Sequence, residues 1–372
     1  MTKYLRKGDP KGCKAAIVVP FHGERFLLVK GRGGWEFPGG KIEAGESSES
    51  AARREMAEET HLSPKRLRFV CLGGPHGECA VYTCELDVIP PIGELFAKPP
   101  RRLAFGFAEF RELLGAAWRA RTDYDEVSGY FDSVRGTASG PIDVWADKAF
   151  GLLGSPAGKL VADIGCGSGK YARSLSDRGC VVVGVDMSGG MLAEAAKKGR
   201  NTGCHWARGD AQSLPLKPGS ADCALMFLVV HHVPIWQEAI SECARLLKPG
   251  GTVLLVMTSR SRIRKHLIRF FPGAAEIDLG RFQGLREMRG ELSRNGFCGI
   301  GVERVLVHRG MVGVDEMVGR YRNRHLSTLS LVPRAEFAVR LVAFEQRLRR
   351  RYGPEVPDET ELCFISGQLS NL

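Results

Sequence analysis

At 372 residues the chain is too long for one compact core, because single domains usually stop near about 250–300 residues, and roughly 150 residues per unit predicts two or three. Hydrophobic residues make up 44% and charged residues 26%, an ordinary globular balance that excludes a largely disordered chain. No apolar run approaches the ~18–20 residues of a membrane span, the longest being Ala224–Val230 and Val253–Met257, so no membrane partner is expected. The net charge of +11 gathers late, in Arg260, Arg262, Arg264, Lys265 and Arg269 and again in Arg347, Arg349, Arg350 and Arg351. Such clusters suit a phosphate-bearing partner, and a solvated arginine-rich face is the alternative.

The start, Met1–Lys7, is basic and leads into Gly8–Gly12 rather than an apolar stretch, so no secretion signal is expected. Eleven scattered cysteines, none in a Cys-x-x-Cys pair, predict a reducing cytoplasm with neither a disulfide framework nor a zinc site. Cys13–Pro20 and Arg25–Lys30 are apolar runs around Gly23 and predict a hairpin. A glycine-rich loop, Gly33–Glu46, precedes a helix expected over about Ser47–Glu59, capped by Ser47 or Ser48 and rich in helix formers. Strands are expected at Arg68–Leu72 and Cys79–Leu86, and a short helix near Phe110–Trp118.

Glu55, Glu58 and Glu59 fall at i, i+3 and i+4 in the last turn of that first helix. Like charges at this spacing repel, and the helix dipole disfavours them there. A hard divalent cation would resolve the conflict, since Mg²⁺ takes carboxylate and carbonyl oxygens and bridges to phosphates. The plain alternative is a surface pair of Arg54 with Glu58 and a solvated remainder.

Gly40, Glu46 and Arg54-Glu55-Met56-Ala57-Glu58-Glu59-Thr60-His61-Leu62, with Trp35–Glu43 before them, resemble the Nudix box, most closely its MutT-type branch. The resemblance implies an α/β/α sandwich in which Glu55, Glu58, Glu59 and the carbonyl of Gly40 hold Mg²⁺ or Mn²⁺. The three glutamates would be catalytic, and Arg54 with Glu46 would brace loop to helix. The implied reaction is hydrolysis of a nucleoside diphosphate derivative. His61 departs from the family's glycine, and a left-handed conformation there costs His what Gly avoids. No late acid completes the shell; Glu109 and Glu112 are nearby in sequence.

The first unit is expected to span residues 1–118, with 119–123 as linker and 124–372 as the second. In the second, apolar strands alternate with helices, which predicts a mostly parallel, doubly wound sheet. Lys159–Ile164 runs into Gly165-Cys-Gly-Ser-Gly169 and a helix Lys170–Arg178. Val181–Asp186, a helix Gly190–Lys198, Cys204–Asp210, Ala221–Val230, a helix Ile235–Leu247 and Thr252–Met257 follow. Glycines 165, 167 and 169 let a ligand lie against backbone, and Asp186 ends the second strand, where it can accept ribose hydroxyls. Asp222 is expected to stabilise the start of its strand, and Leu225, Phe227 and Val229 to be core.

Asp163–Gly169, Asp186, Asp210, Asp222 and Leu247–Gly251 resemble class I S-adenosylmethionine-dependent methyltransferases, from Tyr124–Asp132 to Leu292–Phe297 and the next strand. The resemblance implies a Rossmann-like fold and S-adenosyl-L-methionine as cofactor. Asp163, Gly165, Gly167 and Gly169 would surround its methionine part, Asp186 with Met187 its ribose, and Asp210 with Ala211 its adenine. Leu228 would offer a carbonyl, and Tyr124 and Tyr130 would line a lid. His231 and His232 stand where the fourth strand leaves the sheet, and His232 is the expected base; packing beneath the cofactor is the alternative. Beyond Met257 the sequence predicts a basic helix-like segment Ser261–Phe271, a helix Leu285–Asn295 and a strand Val302–Val307. Arg320–Thr328 and Glu336–Arg351 resemble the tails of small-molecule members of that family.

Together these readings predict a bifunctional cytoplasmic enzyme that methylates a small-molecule acceptor and hydrolyses a nucleoside diphosphate derivative. The alternative is an RNA methyltransferase whose arginine clusters hold phosphates, or one whose Nudix unit only senses nucleotides. The oligomeric state is not legible.

Overall fold

The computed structural model describes residues 5–6, 8–22, 25–74, 78–86, 92–96, 100, 103–104, 107–119, 142–198, 203–324 and 326–371. Tyr124, Tyr130 and most of the expected linker lie outside them. The chain divides into two compact units: Met1–Thr122 with His232–Ile235 and Ser330–Phe337, and the remainder.

The first unit carries strands β1 (Leu5–Arg6), β2 (Ala15–His22), β3 (Arg25–Lys30), β4 (Trp35–Glu36) and β5 (Gly39–Lys41), then helix α1 (Ser48–Thr60). Strands β6 (Arg68–Gly73), β7 (Cys79–Glu85) and β8 (Glu94–Phe96) and helix α2 (Phe107–Arg119) complete it. The sheet runs β1-β6-β7-β2-β3-β4, with β5 joined to β2 and β8 to β3. Its period of two sends alternate residues of β2 to opposite faces. Ala16 and Val18 pack with Ala51, Ala52 and Met56 of α1, whereas Val19 and Phe21 pack with Phe110, Leu113 and Ala117 of α2. The result is a sheet sandwiched between two helices. The expected hairpin is present, with Phe21 opposite Phe26 and His22 opposite Arg25.

Ser47 caps α1 by accepting a hydrogen bond from the Ser50 amide at 3.1 Å. The helix ends on His61, which is left-handed (φ 56°, ψ 24°) and donates its amide to the Ala57 carbonyl at 3.0 Å. Histidine thus occupies a cap where glycine carries no Cβ penalty.

The second unit opens on α3 (Ile142–Leu152) and continues through β9 (Leu160–Ile164), α4 (Lys170–Ser176), β10 (Val181–Asp186), α5 (Gly189–Lys198), β11 (Cys204–Arg208), β12 (Ala221–Phe227), α6 (Trp236–Leu246) and β13 (Leu247–Met257). Then come α7 (Arg260–Ile263), α8 (Ala274–Arg281), α9 (Leu285–Arg294), β14 (Phe297–Gly313), α10 (Val314–Arg322), α11 (Ser327–Ser330), α12 (Arg334–Tyr352) and β15 (Glu355–Leu369). The sheet order is β11-β10-β9-β12-β13-β15-β14. The first five strands are parallel, and β15 runs antiparallel to both its neighbours. This is a Rossmann-like doubly wound sheet, and its connections reverse between β9 and β12, the switch point where such sheets bind ligands. Leu225 and Phe227 enter the core with Trp145, Leu175 and Val256. Asp222 accepts the Leu160 amide at 2.9 Å and pairs with Lys248 at 2.7 Å, pinning the strand start.

Three expected elements differ. β12 stops at Phe227 because Leu228 turns left-handed (φ 52°), so Val229 leaves the strand pattern. The segment expected as one helix from Ser261 to Phe271 is two: α7, capped by Ser259, and a 3₁₀ turn Leu267–Phe270, capped by His266. The His266 side chain, which accepts the Ile268 amide at 3.2 Å, competes with helix continuation and divides the segment. The short strand expected at Val302–Val307 is the middle of a 17-residue strand.

His61→Gly is expected to raise the stability of the first unit by about 1 kcal/mol or less, by removing the left-handed penalty. Thermal melting checks this; a lower melting temperature would contradict it.

Candidate active sites

In the first unit strand β5, at Gly39-Gly40, runs directly beneath α1. A Cβ on Gly40 would lie 2.1 Å from the Glu55 carboxylate, and the Gly39 amide donates to Glu59 Oε2 at 3.0 Å. Only glycine admits so close an approach of backbone to carboxylate. Arg54 ties the loop to the helix: it reaches Glu46 at 3.0 Å, Glu55 at 2.8 Å, Glu58 at 3.4 Å and the Lys41 carbonyl at 3.0 Å. Hydrogen bonds that Arg54 donates to Glu46 and then Glu55 raise the Arg54 pKa, and the one it donates to Glu46 lowers the pKa of Glu46.

Burial, and then repulsion from Glu55, Glu36 and Glu58, raises the pKa of Glu59. Glu36 is an acid the sequence reading did not assign; its place at the end of a two-residue strand gave no periodic signal. Glu109 sits on α2, whose packing residues meet the opposite face of the sheet from α1, with Glu78 and Glu112 as its charged neighbours. Among the described residues, no three His, Cys, Asp or Glu side chains are grouped as metal ligands. The donor set is nonetheless of the right chemistry for a hard dication: crowded carboxylates, one of them desolvated, close against the Gly39-Gly40 backbone.

In the second unit the turn after β9 holds Gly165, Gly167 and Gly169 at φ of 72°, 54° and 73°. Two of them are closed by packing. A Cβ on Gly165 would meet Val229 at 2.2 Å, and one on Gly169 would meet Trp206 at 2.4 Å. The third is open, with no heavy atom within 4 Å of a Cβ at Gly167. Asp186 accepts the Gly167 amide at 2.8 Å on one oxygen and the Ser188 amide at 2.9 Å on the other. It therefore clamps the turns after β9 and β10 together. Met187 beside it is 57% exposed, and its carbonyl accepts from Arg208 at 3.1 Å.

Asp163 is fully enclosed, and its Oδ2 has no hydrogen-bond partner. Burial, and then the Asp186 charge, push its pKa up to about 7. A buried acceptor left unsatisfied beside an open glycine cradle fits a cationic or hydrogen-bond-donating ligand group. Asp210 accepts from the Gln212 amide at 2.9 Å and from its side chain at 3.1 Å, and Ala211 is half-buried between them.

Leu228 and His231 line a cavity of about 180 Å³ together with Arg262, Phe282, Arg309 and Thr328, among others. The His231 ring stacks on Phe282 with centroids 4.0 Å apart. His232, the expected base, follows in the same 3₁₀ turn but is not among the lining residues. The turn leaving β12 thus faces two ways: Val229 backs the glycine loop while Leu228 and His231 form the cavity wall. Arg320, Ser327 and Thr328, from the tail segment singled out in the sequence, also line it. Asp358 joins Arg309 to Arg320 across that wall.

The NUDIX-domain family model matches residues 13–119, and the methyltransferase-domain family model matches residues 162–255. The chain carries a Nudix domain followed by a methyltransferase domain. The tRNA (carboxymethyluridine(34)-5-O)-methyltransferase ALKBH8 of Mus musculus is 32% identical over 136 residues, 36% of this chain and 18% of that protein. The ubiquinone biosynthesis O-methyltransferase of Dechloromonas aromatica (strain RCB) is 35% identical over 120 residues, 32% of this chain and 50% of that protein. The chain thus spans half or less of these curated relatives. The crystal structure of the YcgJ protein from Bacillus subtilis, 19% identical, superimposes with a TM-score of 0.46 over 60% of this chain and 97% of that one.

Because the Asp163 pKa is raised from 3.8 to about 7 on folding, the unfolded chain loses that proton first. Asp163 therefore disfavours folding progressively as pH rises from about 4 to 7. Asp163→Asn is expected to melt higher than the parent at pH 8, with the difference shrinking toward pH 4. Equal shifts at both pH values would contradict the assignment.

Proposed function

We propose that the chain is a bifunctional enzyme that transfers a methyl group from S-adenosylmethionine to a small acceptor and hydrolyses a nucleoside diphosphate derivative with Mg²⁺ or Mn²⁺. The observation that carries the first activity is the open Gly167 cradle beside the unsatisfied Asp163, with the cavity on the far side of the β12 exit. S-adenosylmethionine bound there supplies an already activated methyl group. Asp163 would take the methionine end with Gly165 and Gly167, Asp186 the ribose, and Asp210 with Ala211 the adenine.

The protein's part is then orientation and exclusion of water, which can supply most of the acceleration in a displacement at a sulfonium carbon. A cavity of about 180 Å³, with Leu228, Ile263, Phe282 and Met317 among charged residues in its lining, suits a small acceptor or a single protruding group. Of the two adjacent histidines, His231 is the one on the cavity wall, so it replaces His232 as the candidate to accept a proton from the acceptor.

In the Nudix unit, Glu55, Glu58 and Glu59 with the Gly40 carbonyl would hold the cation, which supplies charge neutralisation at a bridging phosphate. Arg54 keeps Glu46 and Glu55 positioned. Glu58, 59% exposed, is the most solvent-facing of the three and is held, among the described residues, only by Arg54 at 3.4 Å.

His231→Asn is expected to lower turnover by roughly 10²–10⁴ while His232→Asn leaves it near the parent value; the reverse pattern would restore His232. Glu58→Gln is expected to abolish metal-dependent release of phosphate products from a nucleotide panel, and unchanged release would remove Glu58 from the reaction. With labelled methyl donor and fractionated extract, label should enter small metabolites. Label in RNA instead would favour the second reading, an RNA methyltransferase, which the charged surface described next supports.

A further inference from the structure

The two arginine-rich runs are separated by almost eighty residues in sequence, yet they meet in the fold. Arg347 on α12 donates to the Phe270 carbonyl at 3.4 Å, and the Phe270 and Tyr352 rings contact edge to face at 5.8 Å. Arg269 lies over Phe270 at 4.7 Å and Arg351 over Tyr352 at 5.3 Å.

Other arginines in the same runs are neutralised. Arg262 is buried and bound to Glu359 at 2.6 Å, and Arg349 is paired with Asp315 and Glu345. Arg264, Lys265, Arg269, Arg347, Arg350 and Arg351 are exposed, and none has a carboxylate partner among the described residues. Like charges gathered on one face repel one another unless an anion shares them. Here they remain uncompensated around two aromatic rings that hold two of the guanidinium groups in place.

The segment carrying half of them is two-sided. Ile263, Leu267 and Ile268 line the cavity, while Arg264, Lys265 and Arg269 of the same segment face solvent. The charged surface is therefore the outer side of the cavity wall.

We propose that this surface docks single-stranded RNA, with phosphates on the six cations and bases against the ring-anchored guanidinium groups. Exposed cations match a phosphate backbone, and arginine planes and aromatic rings are stacking partners for unpaired bases. The proposal concerns binding, goes beyond the methyl-transfer reading and stands whichever acceptor the cavity takes.

The test uses the full chain and a labelled single-stranded RNA of about 20 nucleotides, read by fluorescence anisotropy. If most of the six cations engage phosphates, affinity should fall on the order of 10²-fold between roughly 50 and 200 mM salt. The double variant Arg269→Glu, Arg351→Glu changes exposed charges, so its melting temperature should match the parent's. It should bind at least about tenfold more weakly, with a salt slope shallower by about 1.4. Absence of RNA binding at the lower salt, or parental affinity in the variant, would overturn the proposal. So would equally tight, charge-dependent binding to vesicles of anionic phospholipid that displaces the RNA. Cofactor binding measured in parallel separates the readings: its loss with RNA binding retained would remove only the methyl-transfer assignment.

Discussion

The second unit is organised by a single carboxylate. Asp186 accepts one amide from the turn after β9 and one from the turn after β10, so one side chain joins the two loops. Hydrogen bonds to an ionised acceptor are the stronger kind, and each satisfies a backbone donor at the end of a buried strand. With the loops so fixed, Gly165 and Gly169 can close against Val229 and Trp206 while Gly167 stays open. The cost appears at Asp163, where a second carboxyl is buried with one oxygen unsatisfied and its pKa pushed up to about 7. Local frustration of this kind is characteristic of ligand sites, where a bound group completes what the bare protein leaves unfinished.

The Nudix unit uses the same device in another form. Backbone and carboxylate approach so closely at Gly40 and Glu55 that no side chain could intervene, and Arg54 spreads its donors over Glu46, Glu55, Glu58 and the Lys41 carbonyl. One guanidinium thus holds apart charges that would repel each other. Glu59, desolvated and surrounded by acids, is left as the strained member. In each unit one acid, Asp163 or Glu59, is desolvated beside other carboxylates, which is costly unless a ligand shares the charge.

Much of this was legible because it is local. The cap of α1 at Ser47, the hairpin of β2 and β3, the strand ending at Asp186 and the glycine turn all follow from neighbouring residues whose chemistry permits few conformations. The left-handed His61 was readable too, as the one residue out of place in the Nudix pattern. What was not legible depends on residues distant in sequence. The cavity is assembled from the β12 exit, the α7 segment, Arg320–Thr328 and the start of β15, and no periodicity links them. The distinction between His231 and His232 turns on one residue's rotation after Leu228 reverses the chain. Likewise the helix expected from Ser261 to Phe271 is divided by the cap at His266, which composition alone does not reveal. That division sets Phe270 against Tyr352 and joins two basic runs that in sequence are merely similar.

The central claim is that the Asp186-clamped turns form the seat of an adenosyl sulfonium. Titration calorimetry of S-adenosylmethionine and S-adenosylhomocysteine into the intact chain tests it most directly. The account predicts saturable binding at one site per chain, weakened by roughly 10–100-fold in Asp186→Ala, as expected for loss of hydrogen bonds to a charged group. No heat of binding for either compound, or equal affinity in the variant, would contradict it.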